Sequence, residues 1–116
     1  MYNYHEVDQE TIKYFPIIDA SELSNGEQLF VEIEDIELVI FNIAGEVFAI
    51  GDVCSHDGGP LGDGEIEDYE VICPRHGARF DVRTGKATAL PAVVDIPAYP
   101  VRINQDQIEV GIPVGD

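Results

Sequence analysis

Basic residues are scarce in this chain: six Lys and Arg stand against 23 Asp and Glu in 116 residues, a formal charge of −17 with neutral histidines. A charge of that sign and size repels nucleic-acid phosphate and anionic lipid at long range, so DNA, RNA and membrane surfaces are not expected as partners. Long apolar runs are missing as well. The densest, Leu38-Val39-Ile40-Phe41, falls far short of the roughly 20 residues that a membrane helix requires. Residues 1–8 carry neither the basic n-region nor the apolar h-region of a secretory signal, and a cytoplasmic location is expected. Cysteine is limited to two residues, which in a reducing compartment stay thiols available for chemistry or metal. There is no Ser–His–acid set and no phosphate loop with its lysine. What is present, 45% hydrophobic and 25% charged residues, is the mix of an ordinary globular domain.

Helical periodicity is also lacking, since no 3.6-residue apolar repeat persists for ten residues. Alternation takes its place. Tyr14 to Ile18 reads as a first strand, and Asp19-Ala20-Ser21-Glu22 as a capped single helical turn through Leu23, stopped near Gly26. Leu29, Val31 and Ile33 alternate with Phe30, Glu32 and Glu34 at strand period. Residues 36–43 are rich in β-branched and large apolar types, and Ala44-Gly45 turns them into Val47 to Ile50. Shorter strands are expected at Val71-Ile72 and from Arg79 to Val82, the latter closed by Thr84-Gly85. Val101 to Ile103 and Ile108 to Val110 read as a C-terminal hairpin. The expected fold is all-β, small antiparallel sheets arranged as a sandwich or barrel, preceded by a polar extension over residues 1–12.

Two Gly- and Pro-containing segments, residues 51–64 and 73–78, are too irregular for strands. Both cysteines fall in them, each followed closely by a histidine: Cys54-Ser55-His56 and Cys73-Pro74-Arg75-His76, with 16 residues between His56 and Cys73. Each loop offers one thiolate and one imidazole, a donor set suited to zinc or an iron–sulfur centre and unsuited to magnesium or calcium. Four readings compete. Two buried cysteines near histidines by chance would leave the matched loops unexplained, and a Cys54–Cys73 disulfide would leave the histidines unexplained. Structural zinc accepts Cys₂His₂, although its knuckles usually pair like with like. In a [2Fe–2S] centre with two thiolates on one iron and two imidazoles on the other, a mixed arm supplies one ligand to each iron.

With these residues the sequence resembles the Rieske family, whose signature is Cys-x-His, a spacer of this length, then Cys-x-x-His. Leu61 and Gly64 continue the first motif, Pro74 and Gly77 surround the second, and Arg79-Phe80-Asp81 with Thr84-Gly85-Lys86 resemble the small ferredoxins of bacterial aromatic-ring dioxygenase systems. The resemblance runs from about Phe15 to Val110. It implies a single Rieske [2Fe–2S] domain over residues 13–116, with the two cluster-binding loops at one end of the sheets. It implies cofactor and metal binding by Cys54 and Cys73 on the inner iron and His56 and His76 on the outer one, with no catalytic residues. It further implies a soluble one-electron carrier rather than an enzyme, receiving from a flavin-containing or iron–sulfur reductase and delivering to a terminal oxygenase. The small Rieske subunit of an assimilatory nitrite reductase stays open as an alternative, as does a structural zinc module.

The departures are informative. Rieske proteins of respiratory and photosynthetic complexes carry a second cysteine in each loop and a Ser just after the second motif; here there is no further cysteine, and Ala78 stands in place of that Ser. Fewer donors to the sulfurs imply a low potential, near about −150 mV at the bottom of the Rieske range. Leu90-Pro91-Ala92 resembles the family's third, proline-containing loop, and Phe80 is expected as core beneath the loops. Four of the six basic residues, Arg75, Arg79, Arg83 and Lys86, lie in a 12-residue span, which suggests a less negative, docking-competent tip. Otherwise docking would fall to apolar contacts around Pro60, Leu61 and Pro91.

Overall fold

The computed structural model describes residues 12–53, 59, 61, 64–74, 77–90 and 94–113. Eleven short strands form three antiparallel sheets among these residues. The first sheet holds β1 (Ile12–Asp19), β11 (Gln107–Pro113) and β10 (Val101–Asn104), in that order. The second runs β2 (Gln28–Ile33), β3 (Ile36–Ile43), β4 (Glu46–Gly51), β9 (Ala98–Tyr99). The third runs β5 (Ile66–Glu67), β6 (Glu70–Ile72), β7 (Arg79–Asp81), β8 (Ala87–Ala89). No helix of the described residues is long and apolar enough to cross a membrane.

Local sequence explains the connections. Asp19 caps a single 3₁₀ turn, Ala20–Glu22, by accepting from the Ser21 N–H at 3.0 Å, which satisfies one of the orphan amides of the turn. Three hairpins close over two residues that both have positive φ: Glu34-Asp35 (51° and 67°), Ala44-Gly45 (55° and 90°) and Gln105-Asp106 (52° and 67°). Such turns twist with the strands they join, which fixes register tightly. That register carries β3 across the molecule. Its residues Leu38, Val39, Ile40 and Phe41 are all buried, because the strand is covered on both faces. Leu38 and Ile40 enter one core with Ala49, Ile108, Val110 and Ile112. Val39 and Phe41 enter the other with Ile50, Leu61, Val71, Cys73, Ala78 and Phe80.

The second core is the one that positions the loops, and Phe80 lies fully buried in it, opposite Val71. The strand expected from Arg79 to Val82 ends one residue earlier. Val82 N–H still donates to Tyr69 O at 2.8 Å and its side chain stays in the core, but the turn begins here, with Asp81 O accepting from Thr84 and Gly85 N–H at 3.3 and 2.7 Å. Gly85 has φ +81° and an added Cβ would fall on the Ile96 carbonyl oxygen, so only glycine fits there. Strands β5, β8 and β9 have no counterpart in the sequence reading. Two or three residues are too few to show a period.

Candidate metal centre

The first ligand segment leaves the end of β4. Gly51 N–H donates to Pro97 O at 2.9 Å, and Asp52 N–H donates to Glu37 O at 3.0 Å, continuing the β3–β4 pairing by one residue. The chain returns at Leu61, whose N–H donates to Asp52 Oδ1 at 2.8 Å and whose side chain is fully buried. Leu61 O then accepts from Gly64 N–H at 2.8 Å. Gly64 is pressed against β6, since an added Cβ would fall on the Ile72 carbonyl oxygen, and Ile72 N–H donates to Glu65 O at 2.9 Å. Asp52 had no role in the sequence reading. The signal was present, an Asp ahead of a Gly-rich loop whose short carboxylate can close onto backbone.

The second segment joins β6 to β7. Cys73 N–H donates to Ala78 O at 2.7 Å, and Gly77 N–H donates back to Cys73 O at 3.0 Å, with Gly77 at φ +76°. The Cys73 carbonyl thus serves Gly77 in place of Ala78. Both Cys73 and Ala78 are buried (1% and 0% exposed), and no acceptor among the described residues faces the Ala78 N–H. A cleft of about 440 Å³ lies alongside, lined by Gly64, Glu65, Ile72, Cys73, Pro74 and Gly77. A buried thiol with a buried amide that lacks an acceptor among the described residues fits a soft group bearing sulfur acceptors, because an orphan amide in an apolar setting is costly. Ala78 presents only a methyl group to this core, so no side-chain hydroxyl is available at that position.

Of the four ligands expected from the sequence, Cys73 is placed by the structure; Cys54, His56 and His76 lie outside the described residues, as does Arg75. Pro60 and Pro91 also lie outside them. The expected basic tip is not what the described arginines form. Arg79 Nη1 donates to Glu67 and Glu70 at 3.0 and 3.2 Å, and these carboxylates hold its guanidinium more firmly protonated than usual. Arg83 grips Asp81 through Nε at 3.0 Å and Nη2 at 2.8 Å and lies over the Tyr69 ring at 4.5 Å. Burial pushes the Asp81 carboxyl up, but the Arg83 bonds outweigh it and hold the group below the usual range. Two of the four cations of the span are therefore neutralised, Arg83 by Asp81 two residues before it and Arg79 by carboxylates that the neighbouring strands β5 and β6 bring beside it. Leu61, expected as an apolar docking contact, is core instead: its amide is tied to Asp52 and its side chain is turned inward. Among the described residues, Val53, Leu90 and Val94 are exposed apolar side chains of the segments that flank the loops.

A three-sheet β domain in which a buried cysteine lies beside an amide with no acceptor among the described residues fits an iron–sulfur protein of the Rieske type. The Rieske [2Fe-2S] domain model matches residues 13–100, and the chain belongs to that family, with one Rieske-type [2Fe–2S] cluster as its cofactor. This replaces the structural-zinc alternative. The chain is 34% identical over 102 residues, 88% of its length and 98% of the relative's, to the ferredoxin component of the naphthalene 1,2-dioxygenase system of Pseudomonas putida. It is 39% identical over 99 residues, 85% of its length and 92% of the relative's, to the ferredoxin component of biphenyl 2,3-dioxygenase of Rhodococcus jostii (strain RHA1). Among solved structures, the ferredoxin of carbazole 1,9a-dioxygenase from Nocardioides aromaticivorans IC177 superposes with a TM-score of 0.80 at 32% identity, over 84% of this chain and 95% of that one.

Proposed function

We propose that this protein is a cytoplasmic one-electron carrier that takes electrons from a flavin-containing or iron–sulfur reductase and passes them to a terminal ring-hydroxylating oxygenase. The observation that carries the reading is the likeness over nearly the full length of both chains to proteins that are themselves ferredoxin components. In this reading Cys54 and Cys73 hold one iron, His56 and His76 hold the other, and residues 13–116 act as one domain behind an extension of residues 1–12. The β1–β11 pairing, which ties Lys13 to Ile112, supports one domain over this range, and its inclusion of Ile12, opposite Pro113, favours a start one residue earlier. When bound, the cluster supplies a single reversible electron and no open coordination site for substrate. The protein's own contribution is to bury the Cys73 side of the site and offer the Ala78 amide; the lack of a side-chain hydroxyl at position 78 favours the low end of the Rieske potential range.

The partner's face follows from the charge. With Arg79 and Arg83 paired internally and a formal charge of −17, the carrier attracts a reductase or oxygenase presenting a basic surface. Stopped-flow reduction by the reductase checks this. The second-order rate is expected to fall by about tenfold or more between about 0.1 M and 1 M NaCl, as the Debye length shrinks from about 10 Å to 3 Å. A rate that rises with salt would show that the partner is itself acidic. The carrier role is tested in the same apparatus: the reduced protein must be reoxidised by the terminal oxygenase in single-electron steps, and failure to do so sinks it.

A further inference from the structure

We propose that Asp52 is a positioning residue for the cluster: its carboxylate bolts the neck of the first ligand loop and sets that loop's register against the second. The proposal rests on the ligand assignment made above. Residues 53–60 carry Cys54 and His56, and the residues that flank them are joined by a side-chain bond, Leu61 N–H to Asp52 Oδ1 at 2.8 Å. Asp52 is itself immobilised from behind, because its own N–H is committed to Glu37 O of β3 at 3.0 Å and the preceding Gly51 N–H to Pro97 O at 2.9 Å. The acceptor oxygen is therefore presented from the rigid second sheet rather than from the loop.

The far side of the bond leads to the second loop. Leu61 is fully buried in the core that also contains Cys73, Ala78 and Phe80. Its carbonyl holds the Gly64 amide, Gly64 packs on the Ile72 carbonyl, and Ile72 directly precedes Cys73. A continuous chain of short contacts thus runs from β4 through Asp52, Leu61 and Gly64 to the cysteine of the other arm. Spacing between ligands on two separate loops has to be maintained to a few tenths of an ångström, and supporting contacts of this kind maintain it. An ordinary loop-closing Asp would affect only folding stability. A positioning Asp also affects how the metal is held at temperatures where the fold is intact.

The two roles separate in a set of variants on the holoprotein. Asp52→Asn retains an Oδ1 acceptor and removes the charge; Asp52→Ala removes both; Ile108→Val, in the other core, provides a purely structural loss for comparison. The measurements are the half-life of the visible spectrum under excess chelator, well below the unfolding midpoint, and the electron paramagnetic resonance spectrum of the reduced state. Asp52→Ala is expected to shorten the half-life by about tenfold or more and to broaden the spectrum, since a hydrogen bond to a charged acceptor is lost. Asp52→Asn should stay within about twofold of wild type, and Ile108→Val should leave both readouts unchanged. Wild-type half-life and spectrum in Asp52→Ala, or an Asn variant as impaired as the Ala variant, overturns the proposal. Cys54→Ala, run in parallel, keeps the two readings apart: if it retains iron and sulfide, the ligand assignment fails, whereas its loss beside an unaffected Asp52→Ala refutes the Asp52 role alone.

Discussion

Cys73→Ala is expected to yield a colourless protein that binds neither iron nor sulfide stoichiometrically, even after anaerobic reconstitution. The thiol lies in a buried position at the end of β6, with 1% of the residue exposed, and its backbone is held on both sides by the Ala78 and Gly77 bonds. A neighbouring thiol cannot move in to replace it, because the chain has just one other cysteine and that one is proposed as a ligand of the same iron. Cys73→Ser discriminates chemistry from shape. It preserves volume but offers a hard oxygen where iron–sulfur chemistry favours thiolate, and it should fail almost as completely. The apoprotein fold should survive both changes, as judged by circular dichroism against wild-type apoprotein. Full iron and sulfide content in Cys73→Ala would remove this residue from the ligand set.

Phe80→Ala should be among the most destabilising truncations in the loop-bearing core. The ring is fully buried on β7, opposite Val71 and in the same core as Cys73, Ala78 and Leu61. Its truncation costs about 3–5 kcal/mol through lost transfer energy and a residual cavity. That is a large share of the ~5–15 kcal/mol by which domains of this kind are stable. A thermal midpoint lowered by roughly 10–20 °C is expected in the apoprotein. Leu90→Ala, at a position 77% exposed, should change the same midpoint little. Equal effects from the two substitutions would mean that the core is packed differently from the arrangement described here.

Much of this architecture was legible in the residues. The turn chemistry of Ala44-Gly45 and the β-branched run of residues 36–43 specify the central hairpin, and the capping pattern at Asp19 specifies its 3₁₀ turn. The cofactor was legible as a donor pattern, because Cys-x-His and Cys-x-x-His in Gly/Pro-rich loops have few alternative uses, and of the four expected ligands Cys73 is the one among the described residues. What stayed hidden was pairing between distant residues. Nothing local distinguishes Arg79 as a docking cation from Arg79 as the partner of Glu67 and Glu70; that depends on β5, β6 and β7 lying side by side. Leu61 likewise reads as a surface contact in a polar loop until the Asp52 bond turns it into the core. Strands as short as β5 and β9 exist because their neighbours supply the ladder, so their own residues carry no period to read.

The strand that belongs to both cores, β3, has a thermodynamic consequence. Its alternate residues bind the first sheet to the third, so neither half can open fully without exposing Val39 and Phe41 or Leu38 and Ile40 to water. The amides of residues 38–41 then exchange with solvent only through global unfolding, and the domain behaves as one cooperative unit. Any free energy contributed by the bound cluster at the loop end is therefore felt equally by β11, whose Ile108, Val110 and Ile112 lie in the opposite core. Protection of those distant amides becomes a measure of cofactor loading.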